Sequence, residues 1–277
     1  MIDIRERVPA VRNRILVAAV WVPVLVYVVL CAPPAVMTAA LCVLAGAGNM
    51  ELQQCVGGER RSALVVMSAA VGVLTVAWYH ARVERMALLF LLETLVLFGY
   101  AIAKGGAVRF HQICAALFGG FSIGWSFASF LRLEATGIQR AYLLLPFLLS
   151  FTCDTFAYFV GCSIGKHKLA PKISPKKTVE GSIGGLAGNV LCGLIFAWAM
   201  DRWFAASIGY GPMVVLALVC GVVAQIGDLS FSWIKREFGV KDYGRLFLDH
   251  GGVLDRFDSV LFVAPMMELV FTFLGKA

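Results

Sequence analysis

Nine stretches of the chain, near residues 15–32, 34–49, 63–79, 86–103, 113–131, 142–162, 182–200, 212–235 and 257–274, are apolar runs nearly free of charged residues. A bilayer core is crossed by about 20 apolar residues in a helix, with a usual range of about 17–25. The pattern therefore predicts an all-α integral membrane protein with about nine transmembrane helices, eight to ten being admissible. The second run is short and the fifth is rich in Gly and Ser, which are features of tilted or re-entrant segments. The basic stretch from Arg5 to Arg14 leads into a first run that is long for a signal-peptide core and is followed by further spans. That run is expected to be a retained helix.

Most connections between the runs are short. Two are long and polar: residues 163–181, SIGKHKLAPKISPKKTVEG, and residues 237–255, EFGVKDYGRLFLDHGGVLD. With nine spans, eighteen of the 24 Lys and Arg fall on the side of the N-terminus, including all those of the two polar loops. The positive-inside rule counts these residues rather than net charge, so the N-terminus and both loops are expected to face the cytoplasm. Residues 1–140 read as a transmembrane scaffold and residues 141–277 as a catalytic transmembrane region. No internal repeat of the kind that builds inverted-repeat transporters is evident.

Composition narrows the class further. Of 277 residues, 60% are hydrophobic and 15% charged, against about half and about a quarter in a soluble domain, which nearly excludes a soluble globular protein. A formal net charge of +7 is accounted for by anionic lipid or phosphorylated substrates, and no nucleic-acid partner is expected. The eight cysteines form no CxxC pair and no Cys/His pattern suited to zinc. Most fall inside apolar runs and read as small buried hydrophobes.

Ionisable groups inside spans cost about 2.5–3.5 kcal/mol each on insertion scales and tend to mark a site or polar cavity. Four carboxylates qualify: Glu93, Asp154, Asp228 and Glu268. Glu93 and Glu268 have no polar company in the sequence and read as structural groups, protonated or hydrogen-bonded between helices. Asp154 and Asp228 each precede a polar loop dense in Lys and Gly. Asp154 and Tyr158 are four apart, and Asp228, Ser232 and Lys235 repeat at four and three, so each set shares a helical face. A carboxylate, a hydroxyl and an ammonium in line suit a metal-bound phosphate.

A third cluster, HGGVLDRFDS, carries His250, Gly251, Gly252, Asp255, Arg256 and Asp258. On a helix Asp255 and Asp258 project from one face, and paired hard oxygen ligands favour Mg²⁺ completed by substrate phosphates. Helix capping and pairing with neighbouring bases is the competing use of the same acids. In the first loop, Ser174 is expected to cap a helix with Pro175 at its first position, followed by Lys176, Lys177 and Thr178. Helix N–H groups beside two ammoniums suit a triphosphate; a purely topological, lipid-touching basic loop is the alternative. Acids for metal, bases for phosphate and glycines for access on one membrane face together point to metal-assisted phosphoryl chemistry.

From Asp154 to Ser259 the chain resembles the phosphatidate cytidylyltransferase (CDP-diacylglycerol synthase) family. The resemblance rests on Ser232-x-Ile234-Lys235-Arg236, then Lys241-Asp242-x-Gly244, then His250-Gly251-Gly252-x-x-Asp255-Arg256-x-Asp258. It is joined by Asp154-Thr155-x-Ala157-Tyr158-Phe159, Gly165-Lys166-His167-Lys168 and Ser174-Pro175-Lys176-Lys177-Thr178-x-Glu180-Gly181. Two positions depart from the family pattern: Leu248-Asp249 stands where a Pro-Gly-like turn is usual, and Phe231 where a Glu is common. The resemblance implies transfer of a cytidylyl group from CTP to phosphatidate, giving CDP-diacylglycerol and pyrophosphate, at the cytoplasmic face of a bacterial inner membrane.

It further implies Asp228 and Asp255 as principal metal ligands, with Asp258 and Asp154 as direct or water-mediated ones. Mg²⁺ is the expected cofactor, with room for a second cation. Lys235, Arg236 and Arg256 are expected among the catalytic groups. Ser174, Lys176, Lys177, Thr178, Ser232, Lys241, Asp242, His250, Gly251 and Gly252 are expected to bind substrate. Membrane lipid and a second copy of the chain are the expected partners. Two other classes compete: a CTP-dependent lipid or polyprenol kinase, and a cation-coupled transporter. The DG-x2-AR pattern of CDP-alcohol phosphotransferases is absent.

Overall fold

The computed structural model describes residues 19–57, 63–80, 83–206, 208–244 and 251–275. Among these the chain is helical almost throughout: α1 (Ala19–Leu30), then α2 (Pro34–Cys55), α3 (Ala63–Ala77), α4 (Val83–Ala103), α5 (Phe110–Phe118) and α6 (Gly124–Ala135). The second half carries α7 (Leu145–Ile164), α8 (Val179–Phe204), α9 (Tyr210–Glu237), α10 (Leu254–Phe257) and α11 (Val260–Phe273). The exception is a short antiparallel hairpin, β1 (Lys168–Ala170) with β2 (Ser174–Thr178), in which Lys168 faces Thr178 and Ala170 faces Ser174.

Six helical stretches among the described residues are long and apolar enough to cross a membrane: Pro34–Cys55, Arg85–Ala103, Phe110–Ala135, Arg140–Ile164, Val179–Phe204 and Tyr210–Glu237. Ala19–Leu30, Ala63–Ala77 and Val260–Phe273 are apolar but shorter. The protein is a multi-pass membrane protein. Each of the nine apolar runs carries a helix, and six of those helices have the length of a full crossing. The Gly-rich fifth run belongs to one continuous stretch, α5 and α6 joined by a π-helical turn at Gly119–Ile123.

The chain divides into two compact units, residues 1–131 with 240–256, and residues 132–239 with 257–277. In the first unit α2 runs six residues past the end of its apolar pattern, through Asn49, Glu51 and Gln53, all three buried. Burial of such groups is tolerable when their polar atoms find hydrogen-bond partners, and all but Gln53 Oε1 do so. Asn49 Nδ2 donates to the Ala45 carbonyl at 2.9 Å and its Oδ1 accepts from the Ser68 hydroxyl at 3.2 Å. Gln53 Nε2 donates to the Gln112 carbonyl at 3.1 Å.

In the second unit α7 and α8 approach closely along Gly181 and Gly185, four residues apart on one face. A Cβ at either position would meet the main chain of α7, at Ala157 and Cys153 respectively, the small-residue contact that lets membrane helices pack backbone to backbone. Tyr142 ties the start of α7 to the segment after α8. Its hydroxyl donates to the Ala206 carbonyl at 2.7 Å and accepts from the Ile208 amide at 3.1 Å, and its ring meets Phe196 and Phe271 edge-on.

All eight cysteines are free thiols. Cys55, Cys153 and Cys220 are buried as expected of small hydrophobes, whereas Cys31, Cys114 and Cys162 are exposed on the protein surface. The exposed three sit on or beside apolar helices.

Candidate active site

In the second unit, α7, α9, the hairpin and the turn after α10 bring ionisable residues together. Asp228 and Ser232 lie one turn apart on α9, and the Ser232 hydroxyl donates to Asp228 Oδ1 at 3.1 Å. Lys177, at the end of β2, is ion-paired with Asp228 Oδ2. Asp154 on α7 is close enough to feel Asp228 as its chief like charge and Lys177 as its chief opposite one. Asp258 feels Asp228 and then Asp154 as like charges and Lys235 as the opposing cation. Burial, followed by those two carboxylates, raises the Asp258 carboxyl above the ordinary carboxylate range.

Local sequence explains the approach. Gly227 precedes Asp228, and a Cβ there would meet the Asp258 carbonyl oxygen and the Phe262 ring. Asp258 follows α10 rather than lying inside it, and its Oδ1 accepts the Ser259 amide at 2.7 Å. Asp154, Lys177, Asp228, Ser232, Lys235 and Asp258 are all half-buried. Phe231, where the family pattern favours Glu, is buried and meets Phe262 edge-on at 6.2 Å between ring centroids. That position is filled by packing instead of charge.

Three carboxylates accompanied by two ammoniums leave an excess of hard oxygen donors. Among the described residues, no group of three or more His, Cys, Asp or Glu side chains is placed to hold a metal ion by itself. Mg²⁺ is ordinarily held by one or two carboxylates and completed by substrate phosphates and water, so this donor set fits the expected ion.

The hairpin corrects one expectation. Ser174 does not cap a helix: it opens β2 opposite Ala170, and Pro175, Lys176 and Lys177 continue the strand. Strand pairing claims this backbone first, and the helix starts only after Thr178. Thr178 is the true cap, with extended backbone and an Oγ1 that accepts the Gly181 amide at 3.1 Å. Glu180 in the first turn of α8 reaches back to the Lys166 and His167 amides at 3.1 and 3.2 Å and to His167 Nδ1 at 2.6 Å. Lys166, Lys168, Lys172 and Lys176 stay exposed around the hairpin. Arg236, also exposed, reaches it through Nε, which donates to the Ile173 carbonyl at 3.4 Å.

The first unit holds the rest of the motif. Asp255 Oδ2 accepts the Tyr243 amide at 2.8 Å and the Gly252 amide at 3.0 Å. Asp255 thus ties its own turn to the Lys241–Gly244 segment, in which Lys241 and Asp242 are exposed and Tyr243 is buried. Gly251 has φ of +86°, a backbone state that favours glycine. Arg256 is exposed. His250 and the Leu248-Asp249 pair lie outside the described residues.

The sequence reading missed Glu51. Its Oε1 accepts the Val253 amide at 2.9 Å and its Oε2 the Leu254 amide at 3.0 Å. A signal was available: no helix-stopping residue follows position 49 until the Gly57-Gly58 pair, so the second helix could be extended through Glu51. The two intramembrane acids read as structural behave differently. Glu268 forms a two-point ion pair with Arg132, whereas Glu93 is buried with Oε1 turned toward Gly120 of the π-helical turn.

A family model described as the cytidylyltransferase family matches residues 12–274. A protein of Staphylococcus saprophyticus named phosphatidate cytidylyltransferase is 37% identical over 175 residues, 63% of this chain and 65% of that one. One of the same name from Staphylococcus aureus has the same identity and coverage, and one from Staphylococcus epidermidis is 35% identical over the same length. The chain therefore matches just under two thirds of the length of these relatives.

Proposed function

The chain belongs to the cytidylyltransferase family, and from that premise we propose that it transfers the cytidylyl group of CTP to phosphatidate, giving CDP-diacylglycerol and pyrophosphate. The observation that carries this reading is the gathering of Asp154, Asp228 and Asp258 with Lys177 and Lys235 in a multi-pass apolar protein. The names of its Staphylococcus relatives support the choice of substrates.

A phosphatidate oxygen attacks the α-phosphorus of CTP, the new P–O bond forms, and the bond from that phosphorus to the bridging oxygen of the β-phosphate breaks as pyrophosphate leaves. A phosphomonoester has its second pKa near about 6, so the nucleophile is ionised at neutral pH and needs no strong base. The work left to the protein is positioning and charge neutralisation.

Asp228, Asp258 and Asp154 are the residues that would hold Mg²⁺, which supplies charge neutralisation at the phosphates when bound. Asp255 is proposed as a further ligand on its place in the motif, and a second cation belongs to the same proposal. Lys177 and Lys235 offer ammoniums to phosphate oxygens, with Lys176, Arg236 and Lys241 as further bases. Arg256 counters the charge of the departing pyrophosphate. Ser232 holds Asp228 in place through its hydroxyl. Ser174 and Thr178 shape the hairpin that presents the lysines, and Asp242, His250, Gly251 and Gly252 shape the second loop.

The excess of Lys and Arg on the N-terminal side of nine predicted crossings supports a cytoplasmic N-terminus and, with it, reacting groups at the cytoplasmic face of a bacterial inner membrane. A homodimer is part of the same proposal, with cross-linking in native membranes as its check. The test of the reaction is an assay of the purified protein in lipid micelles with phosphatidate and CTP labelled in the cytidine. Lipid product that keeps the cytidine label, and disappears on chelation of divalent cations, is expected. Product phosphorylated without cytidine would indicate a CTP-dependent lipid kinase and overturn the proposal.

A further inference from the structure

Glu51 sits near the end of α2, about 200 residues from the motif that carries Asp255, and neither its neighbours in sequence nor the motif assigns it any part in the chemistry. In the first unit its carboxylate is buried, 8% exposed as a residue, against the turn that leads into α10. Its two oxygens accept one main-chain amide each, Val253 at 2.9 Å and Leu254 at 3.0 Å. Gly252 and Gly244 both press against the same carboxylate, so that a Cβ at either position would run into it.

The amides of this turn are divided between two acids. Asp255 takes Gly252 and Tyr243; Glu51 takes the next two. Peptide planes are rigid, so holding the amides of residues 253 and 254 leaves only a few rotatable backbone bonds between the clamp and Asp255 and restricts the direction in which its side chain leaves the chain. The two carboxylates also have different duties. Asp255 belongs to the motif Gly251-Gly252-x-x-Asp255-Arg256, whereas Glu51 has both oxygens committed to backbone.

We propose that Glu51 is the positioning residue for Asp255: it clamps the Val253 and Leu254 amides so that the Asp255 carboxylate is presented in one orientation for the reaction. The proposal rests on the reading of Asp255 as a metal ligand. Outer partners of metal ligands typically contribute about 10–100-fold in metal affinity or activity.

Glu51→Gln keeps the size of the side chain but replaces one accepting oxygen with an N–H donor facing an amide. Glu51→Asp keeps the charge but is one methylene shorter and cannot reach both amides. Hydrogen exchange of the peptide spanning residues 251–256 is measured for the full-length protein in micelles, beside exchange in α8 and α9, together with kcat, the two KM values and the Mg²⁺ concentration for half-maximal rate.

In Glu51→Gln, exchange at 251–256 is expected to rise about tenfold or more with α8 and α9 unchanged. The rate is expected to fall about 10–100-fold, the Mg²⁺ requirement to rise, and the KM for CTP and for phosphatidate to stay within about twofold. Glu51→Asp is expected to fall between wild type and Glu51→Gln in both exchange and rate. Unchanged exchange at 251–256, or faster exchange spread equally over α8 and α9, would overturn the positioning role, as would a normal rate and Mg²⁺ requirement in a variant with loosened amides. A wild-type protein that forms no cytidine-bearing lipid would refute the proposed reaction, and the exchange result would still decide whether Glu51 clamps the turn.

Discussion

Lys177, the fourth residue of strand β2, is ion-paired with Asp228 in the middle of the C-terminal half of α9, and the pair joins the hairpin to the helix that carries Ser232 and Lys235. The ammonium offsets part of the mutual repulsion of Asp228, Asp154 and Asp258. Removing it leaves the half-buried Asp228 and Asp154 without the cation they share, so Lys177→Met is expected to lower the thermal midpoint and to raise the KM for CTP about tenfold or more, the loss of one charge-assisted hydrogen bond. Asp228→Asn combined with Lys177→Met is expected to recover the midpoint but not the activity. Thermal unfolding in detergent and steady-state assays on both variants provide the check.

Asp258→Asn replaces a carboxyl whose neutral form is already favoured by burial and by two neighbouring acids. Stability without added cation is therefore expected to stay within about 1 kcal/mol of wild type. Activity is expected to fall at least about a hundredfold, the upper end of what loss of even an outer partner costs a metal site. A variant that lost both stability and activity would mark this acid as structural.

Gly227 is the close-approach residue that admits the Asp258 main chain beside Asp228. Gly227→Ala places a methyl against the Asp258 carbonyl and the Phe262 ring. Overpacking of this kind costs about 1–3 kcal/mol, and the displacement of Asp258 is expected to reduce turnover more than it reduces the fraction folded. Comparison of specific activity with the folded fraction by size exclusion separates the two effects.

Arg132 and Glu268 meet through Nε to Oε1 at 2.6 Å and Nη2 to Oε2 at 2.8 Å, well away in sequence from any motif. Breaking a half-buried pair by removing one partner is expected to cost about 2 kcal/mol, because the other charge is left without its counter-ion. Glu268→Ala should therefore unfold at a lower temperature. Arg132→Met with Glu268→Leu should recover most of the loss, and kcat for folded protein should be unchanged in the double variant.

Much of the site was visible in the sequence because its spacing is local. Asp228, Ser232 and Lys235 follow the helical repeat, and the Ser232-to-Asp228 hydrogen bond is the direct product of a four-residue separation. Ser174 was misread because the Ser-Pro-Lys-Lys pattern fits a helix start, and only pairing with residues 168–170 turns it into a strand. The apolar run stops near residue 49 while α2 continues to Cys55, for a related reason. Asn49, Glu51 and Gln53 look like a return to water in one dimension, whereas in the folded unit their partners lie on other segments.

The apolar runs, their number, the two basic polar loops and the kind of side chains within them are properties of the chain itself, because the bilayer requirement for length and hydrophobicity acts on each segment separately. Which acids find which partners was decided by tertiary structure. A carboxylate's surroundings are set by groups tens to hundreds of residues away, and no local rule relates Lys177 to Asp228, Arg132 to Glu268, or Glu51 to the amides of Val253 and Leu254.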